Sequence, residues 1–122
     1  MLVRVPPRTT YHLVPRAEWT AADPSLAYTP AAFGQDGFVH CTDGPAEVAA
    51  TANRFFAGLE DDLLALVLDR ARLGAAVRYD NPGGIYPHVY GPIERAAILR
   101  VDVLKRHAGG AWLPPSEPAG DA

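Results

Sequence analysis

Three of the chain's four histidines lie inside short apolar or aromatic strings: Tyr11-His12-Leu13-Val14, Gly37-Phe38-Val39-His40-Cys41-Thr42 and Tyr86-Pro87-His88-Val89-Tyr90-Gly91-Pro92. An imidazole titrates near neutrality and can donate, accept or ligate, so three of them in strand-like segments predict a chemical site built on a rigid framework. His12, His40 and His88 are therefore the catalytic candidates. The fourth, His107, stands beside Gly109-Gly110 and reads as a solvated residue. For any one of the three, the bland alternative is a semi-buried ring that only satisfies a backbone carbonyl.

Strand alternation sorts their neighbours, because adjacent residues point to opposite faces. His40 and Thr42 share a face and Cys41 does not, which disfavours a Cys41–His40 nucleophile pair. His12 shares its face with Val14 rather than Tyr11, and His88 shares one with Tyr86 and Tyr90, whose rings could stack a flat ligand. The Gly83-Gly84 and Gly91-Pro92 pairs flank this last string and allow backbone to come close to a bound molecule. Three imidazoles could in chemistry hold zinc at about 2.0–2.1 Å, yet their spacings are long and no helical HExxH pair is present, so no metal ligands are assigned.

The elements that must position these groups follow from local signals. Residues 1–9 read as a loose leader, Tyr11–Val14 as a short strand, and 15–22 as a short helix stopped by Asp23-Pro24. A loop with Tyr28, Pro30 and Gly34 leads to a second strand at Phe38–Thr42. The best-marked helix follows, with Gly44 as N-cap, Pro45 as its first residue and Glu47 near its positive end. Its apolar stripe of Val48, Ala52, Phe55, Phe56 and Leu59 assigns the Phe55-Phe56 pair to the core. Arg54 falls outside the stripe: it could pair with a phosphate if that edge faces a cleft, and otherwise it is solvated. Leu63–Leu68 is a continuous apolar run, which predicts a central strand buried on both faces. Strands at Ala76–Tyr79 and Ile98–Leu104 are expected, with a loop at residues 80–84 between the first of them and the Tyr86–Tyr90 string. Residues 108–122 read as a flexible Gly/Pro/Ala-rich tail, leaving 10–107 as the single globular domain.

With 122 residues the chain can bury one core and no second catalytic unit. Twelve prolines and eleven glycines predict many short elements joined by turns. A net charge of −3 gives no basic footprint, which disfavours nucleic acid as a partner despite the local group Arg70, Arg72 and Arg78. One cysteine excludes an intrachain disulfide and suits a reducing cytoplasm. No apolar run approaches the roughly 20 residues of a membrane helix, and residues 1–8 lack the apolar stretch of a secretion signal.

At the histidine strings, together with Trp19, Asp36 and Ala52-Asn53-Arg54-Phe55-Phe56, the chain resembles the small bacterial proteins grouped as domain of unknown function 952. The likeness runs from about Tyr11 to Val103. It implies an α+β fold of the ADP-ribosyltransferase-like superfamily: a compact single domain with a small split, mostly antiparallel β-sheet and two or three short helices, cradling a nicotinamide dinucleotide. It further implies that His12 contacts the nicotinamide-side ribose and that the His40–Thr42 string helps hold the nicotinamide. Asp80 stands where a glutamate is expected, and His88 is a candidate for the same slot. That departure argues against conventional protein ADP-ribosylation.

The leading expectation is thus an enzyme, a transferase or hydrolase, that takes NAD or another ADP-ribose-type ligand as substrate and holds no permanent cofactor. Its substrate-binding candidates are Thr42, Tyr90, Asp80 and Arg54. A non-catalytic ligand-binding or protein-interaction module is the first alternative. A metal-assisted hydrolase using the three histidines is the second.

Overall fold

The computed structural model describes residues 5–81 and 84–116. Residue 83 of the glycine pair, Pro82, and the outer parts of the expected leader and tail lie outside the described residues.

The apolar run organises everything else. β3 (Leu63–Asp69) is buried at every position and sits between β1 (Thr9–Pro15) and β6 (Ile98–Val103), antiparallel to both. Alternation sends Leu64, Leu66 and Leu68 into one core cluster and Leu63, Ala65 and Val67 into another. A buried Leu or Val contributes about 1.5–3 kcal/mol, so this strand anchors both cores at once. β1 begins at Thr9, which is itself buried, two residues before the strand expected from sequence. The leader therefore ends one residue earlier than its expected boundary.

The first cluster is closed by a second antiparallel sheet of very short strands in the order β2 (Val39–His40), β5 (His88–Val89) and β4 (Val77–Arg78). Val39, Cys41, Val89 and Ile93 pack there against Val14 and the leucines of β3. The fold is α+β, as expected, but its β structure forms two three-stranded sheets joined near β1 by the Tyr11–Thr42 bridge. Beyond His40 the second strand continues only through that bridge, and the Tyr86–Tyr90 string pairs as a strand only at His88 and Val89.

Three short helices connect the sheets. α1 (Arg16–Ala21) starts after Pro15, which occupies the cap rather than the first turn. α2 (Phe33–Asp36) lies in the segment expected to be a loop and ends on Gly37, whose φ of 80° supplies the left-handed turn that side chains disfavour. α3 (Pro45–Phe55) has the expected Gly44 cap and Pro45 start, and it buries Val48 and Ala52 against the second cluster. Phe55 corrects the helical stripe: it is 68% exposed, whereas Phe56 packs against the core.

The residues after β6 also correct an expectation. Trp112 is buried in the second cluster, its indole N–H donating to the Phe56 carbonyl and its backbone bonded to the Asn53 side chain. Residues 105–113 thus fold back onto the body, so the expected free tail does not begin at residue 108. Among the described residues no helix is long and apolar enough to cross a membrane.

Candidate functional site

Where β1 meets β2, the two sheets and all three helices leave a cavity of about 630 Å³. His12 reaches it from β1. Its partner across the ladder is Leu66, so its ring points to the same side as Val14, toward the second sheet, as the alternation predicts. Nδ1–H donates to the His40 carbonyl at 2.6 Å. A carbonyl can only accept, which fixes the tautomer and leaves Nε2 as an acceptor. Among the described residues no hydrogen bond is made to that nitrogen. Burial pushes the His12 pKa below its ordinary 6.5, against the opposing hydrogen bond to the His40 carbonyl and the smaller pull of the Glu18 charge, so the ring is neutral at pH 7. The bland reading is therefore half fulfilled: one nitrogen satisfies a carbonyl, and the other remains available in the cavity.

The walls are mostly apolar and flat. Phe33 of α2, Phe38, Phe55 and Phe56 at the end of α3, and Tyr86 all line it. Thr42 lines it too, as does Arg54, the arginine read from sequence as either solvated or turned toward a cleft. Two carboxylates that sequence reasoning did not select complete the polar lining, Glu18 and Asp36. Glu18 Oε2 accepts from the Ala31 amide at 3.0 Å and from the Tyr28 hydroxyl at 3.3 Å, which fixes its position. Burial, reinforced by that carboxylate, raises the Tyr28 pKa far above its ordinary value and keeps the phenol a donor. Asp36 Oδ2 accepts from His40 Nε2 at 3.0 Å.

His88 stands elsewhere. It is the direct cross-strand partner of His40, with ring centroids 5.5 Å apart, but it does not line the cavity. Its ring stacks on Phe38 at 3.9 Å and 18°, and its Nδ1–H donates to Asp80 Oδ2 at 2.7 Å. Tyr90 donates its hydroxyl to the same oxygen. The Tyr90 hydrogen bond, then that of His88, hold the Asp80 carboxyl below its ordinary range, and the same contact raises the Tyr90 phenol. Tyr90 and Asp80, like His88, are absent from the cavity wall. The expectation of three imidazoles in one site is thus corrected to two at the cavity and one behind Phe38. The physical reason is Phe38, which lines the cavity and stacks on the His88 ring, so that it stands between that ring and the cavity although His88 shares a face with its cross-strand partner His40.

The remaining candidates resolve simply. Cys41 is 2% exposed in the first cluster, and burial drives its thiol pKa far upward, so it is an inert core residue. A three-histidine metal cage is not assembled: among the described residues no group of three or more His, Cys, Asp or Glu side chains could hold a metal ion. Trp19 packs edge-on against Tyr28 at 5.0 Å, the ring whose hydroxyl donates to Glu18.

The molecule is thus a small α+β protein with two three-stranded antiparallel sheets and a histidine-bearing cavity at their junction. The chain belongs to the family described as protein of unknown function DUF952, which it matches over residues 13–101. It is similar to protein CC0527 from Caulobacter crescentus, whose crystal structure aligns at 27% identity and a TM-score of 0.71, over 88% of this chain and 93% of that one. The solution NMR structure of CC0527 aligns at 28% identity and a TM-score of 0.67, over 84% and 90% of the two chains. The search of curated proteins gave no match.

Proposed function

We propose that the cavity binds NAD or a related ADP-ribose compound and that His12 acts on it as an ADP-ribosyltransferase-like catalyst. The carrying observation is the state of His12: buried, neutral, its tautomer fixed by the His40 carbonyl, with Nε2 available as an acceptor. Such a nitrogen can take a hydrogen bond from a ribose hydroxyl and hold it through the reaction. The phenylalanine walls suit the flat nicotinamide ring, and a volume of about 630 Å³ suits a small-molecule ligand.

As the glycosidic bond breaks, its electron pair leaves with nicotinamide and positive charge develops on the ribose, until water or an acceptor hydroxyl bonds to the anomeric carbon and gives up its proton. A fixed carboxylate stabilises that charge most when it is positioned in advance. Glu18, held by the Ala31 amide and the Tyr28 hydroxyl, takes this role in our reading, in place of Asp80. Thr42 and Arg54 contact the ligand, and Arg54 carries the phosphate interaction. His40 positions His12 through its carbonyl. His88, Tyr90 and Asp80 act indirectly, by bracing Phe38. A reducing cytoplasm suits the free Cys41 thiol.

One observation favours a second reading, a ligand-binding module without turnover. The lining carries two carboxylates and a single arginine, a thin counter-charge for a pyrophosphate. Titrating NAD and ADP-ribose into the protein while assaying free nicotinamide separates the readings. Release that is lost in His12→Ala supports catalysis, and binding without release supports the module. No binding of either compound to the folded protein rejects both.

A further inference from the structure

The free edge of the larger sheet carries information that the cavity does not use. β6 ends the order β1-β3-β6 and, among the described residues, pairs only with β3. Leu99, Val101 and Val103 along it are 45%, 36% and 48% exposed. Val101 and Val103 stand opposite Leu66 and Leu64, on the face that the second sheet covers over β1 and β3 but leaves open toward β6. A long, apolar, unpaired edge strand is a template for another strand, and proteins usually blunt it. Here the charges that could do so, Arg100 and Asp102, alternate onto the opposite face, where Arg100 Nε donates to Asp102 at 2.7 Å and its Nη2 donates to the Ser116 carbonyl at 2.9 Å.

We propose that β6 pairs antiparallel with β6 of a second copy of this chain, about a two-fold axis through Val101. The sequence of the strand selects this register. With the axis at Val101, Leu99 lies opposite Val103 and Arg100 opposite Asp102 of the second copy, twice over by symmetry. Shifting the axis to Arg100 or to Asp102 sets that charge against its own copy. A slip by one residue turns the aliphatic row away from its counterpart.

The backbone agrees with the choice. The Leu104 amide donates to the Leu63 carbonyl, so even-numbered positions direct their backbone groups to β3 and Val101 and Val103 direct theirs outward. Arg100 and Asp102 then fall at non-hydrogen-bonded positions of the new ladder, where facing side chains come closest. The register shift between β3 and β6 at Val67/Leu68 bends the strand at Leu99 and bounds the paired segment there. The result is one continuous six-stranded sheet. The cavity lies at β1, the far edge, so both copies keep it open.

Sedimentation equilibrium of the full chain over a concentration series tests this. The wild type is expected at twice the chain mass. Arg100→Asp and Asp102→Arg each set like charges opposite one another, and each is expected to weaken the dimer about tenfold or more. An equimolar mixture of the two variants is expected to regain it, because every facing pair is again unlike. Neither variant keeps the in-chain Arg100–Asp102 pair, so recovery on mixing cannot come from repaired folding. Val101→Lys, at an exposed position, is expected to leave a folded monomer by circular dichroism. A wild type that is monomeric throughout, a dimer that survives Val101→Lys unchanged, or a mixture that stays monomeric would each overturn the proposal.

Discussion

His12 and His88 occupy similar strings in the sequence and opposite situations in the fold. His12 is 7% exposed, bound through one nitrogen to a backbone carbonyl, and it lines the cavity with the other free of partners among the described residues. His88 is stacked on Phe38 and bonded to Asp80, on the solvent side of the second sheet and outside the cavity wall. A histidine inside an apolar string thus marks a strand, whereas the chemistry open to it depends on what its second nitrogen meets.

That contrast can be broken most sharply at His12. His12→Ala is expected to reduce nicotinamide release by about 10²–10⁴-fold, the range of a lost acid–base or positioning group, measured as kcat/KM from initial rates at low NAD. Phe55→Ala is expected to weaken ligand binding about tenfold, in line with an aromatic contact of up to about 1.5 kcal/mol, as measured by calorimetry. Its melting temperature should stay near wild type because the side chain is largely exposed. His88→Ala should change affinity by less than about threefold, the scale of a lost stacking contact felt through Phe38. A loss equal to that of His12→Ala would return His88 to the ligand site.

Stability against pH gives the smallest signal. The folded-state pKa of His12 lies below its unfolded value, so the unfolded chain takes up the proton first as pH falls. The contribution of a neutral His12 is therefore full above about pH 6.5 and declines as pH drops from there toward the folded-state value. Urea titrations should show this loss in the wild type and less of it in His12→Gln. For Asp80, whose folded pKa is lowered by Tyr90 and His88, the contribution holds above its ordinary 3.8 and is lost as pH falls through the lower folded value.

What the sequence made legible follows the same division between local and tertiary causes. β3 could be read because a strand buried on both faces needs an unbroken apolar run, and α3 because Gly44-Pro45 is a local start signal. The two-residue strands β2 and β4 fall inside the expected Phe38–Thr42 and Ala76–Tyr79 strands, but their short extent could not be read, since Val39–His40 is limited by its pairing with His88–Val89 rather than by propensity. The helical stripe assigns Phe55 to the core because a stripe has two borders, and sequence does not say which border faces a partner. It lines the cavity instead. Glu18 and Asp36 carry no sequence signal for a related reason. Each sits on a helix of six residues or fewer, with no local pattern, and reaches the cavity only because tertiary packing sets α1 and α2 at its wall. Arg54 was legible as a conditional reading, and the fold supplied the condition.

The central claim is that the cavity at His12, and not the cluster at His88, receives the ligand. Isothermal titration of ADP-ribose into wild type, His12→Ala and His88→Ala, each checked for folding by circular dichroism, tests it most directly. The account predicts saturable one-to-one binding in wild type and in His88→Ala, and none detectable in His12→Ala. Binding that survives His12→Ala but disappears in His88→Ala would contradict it.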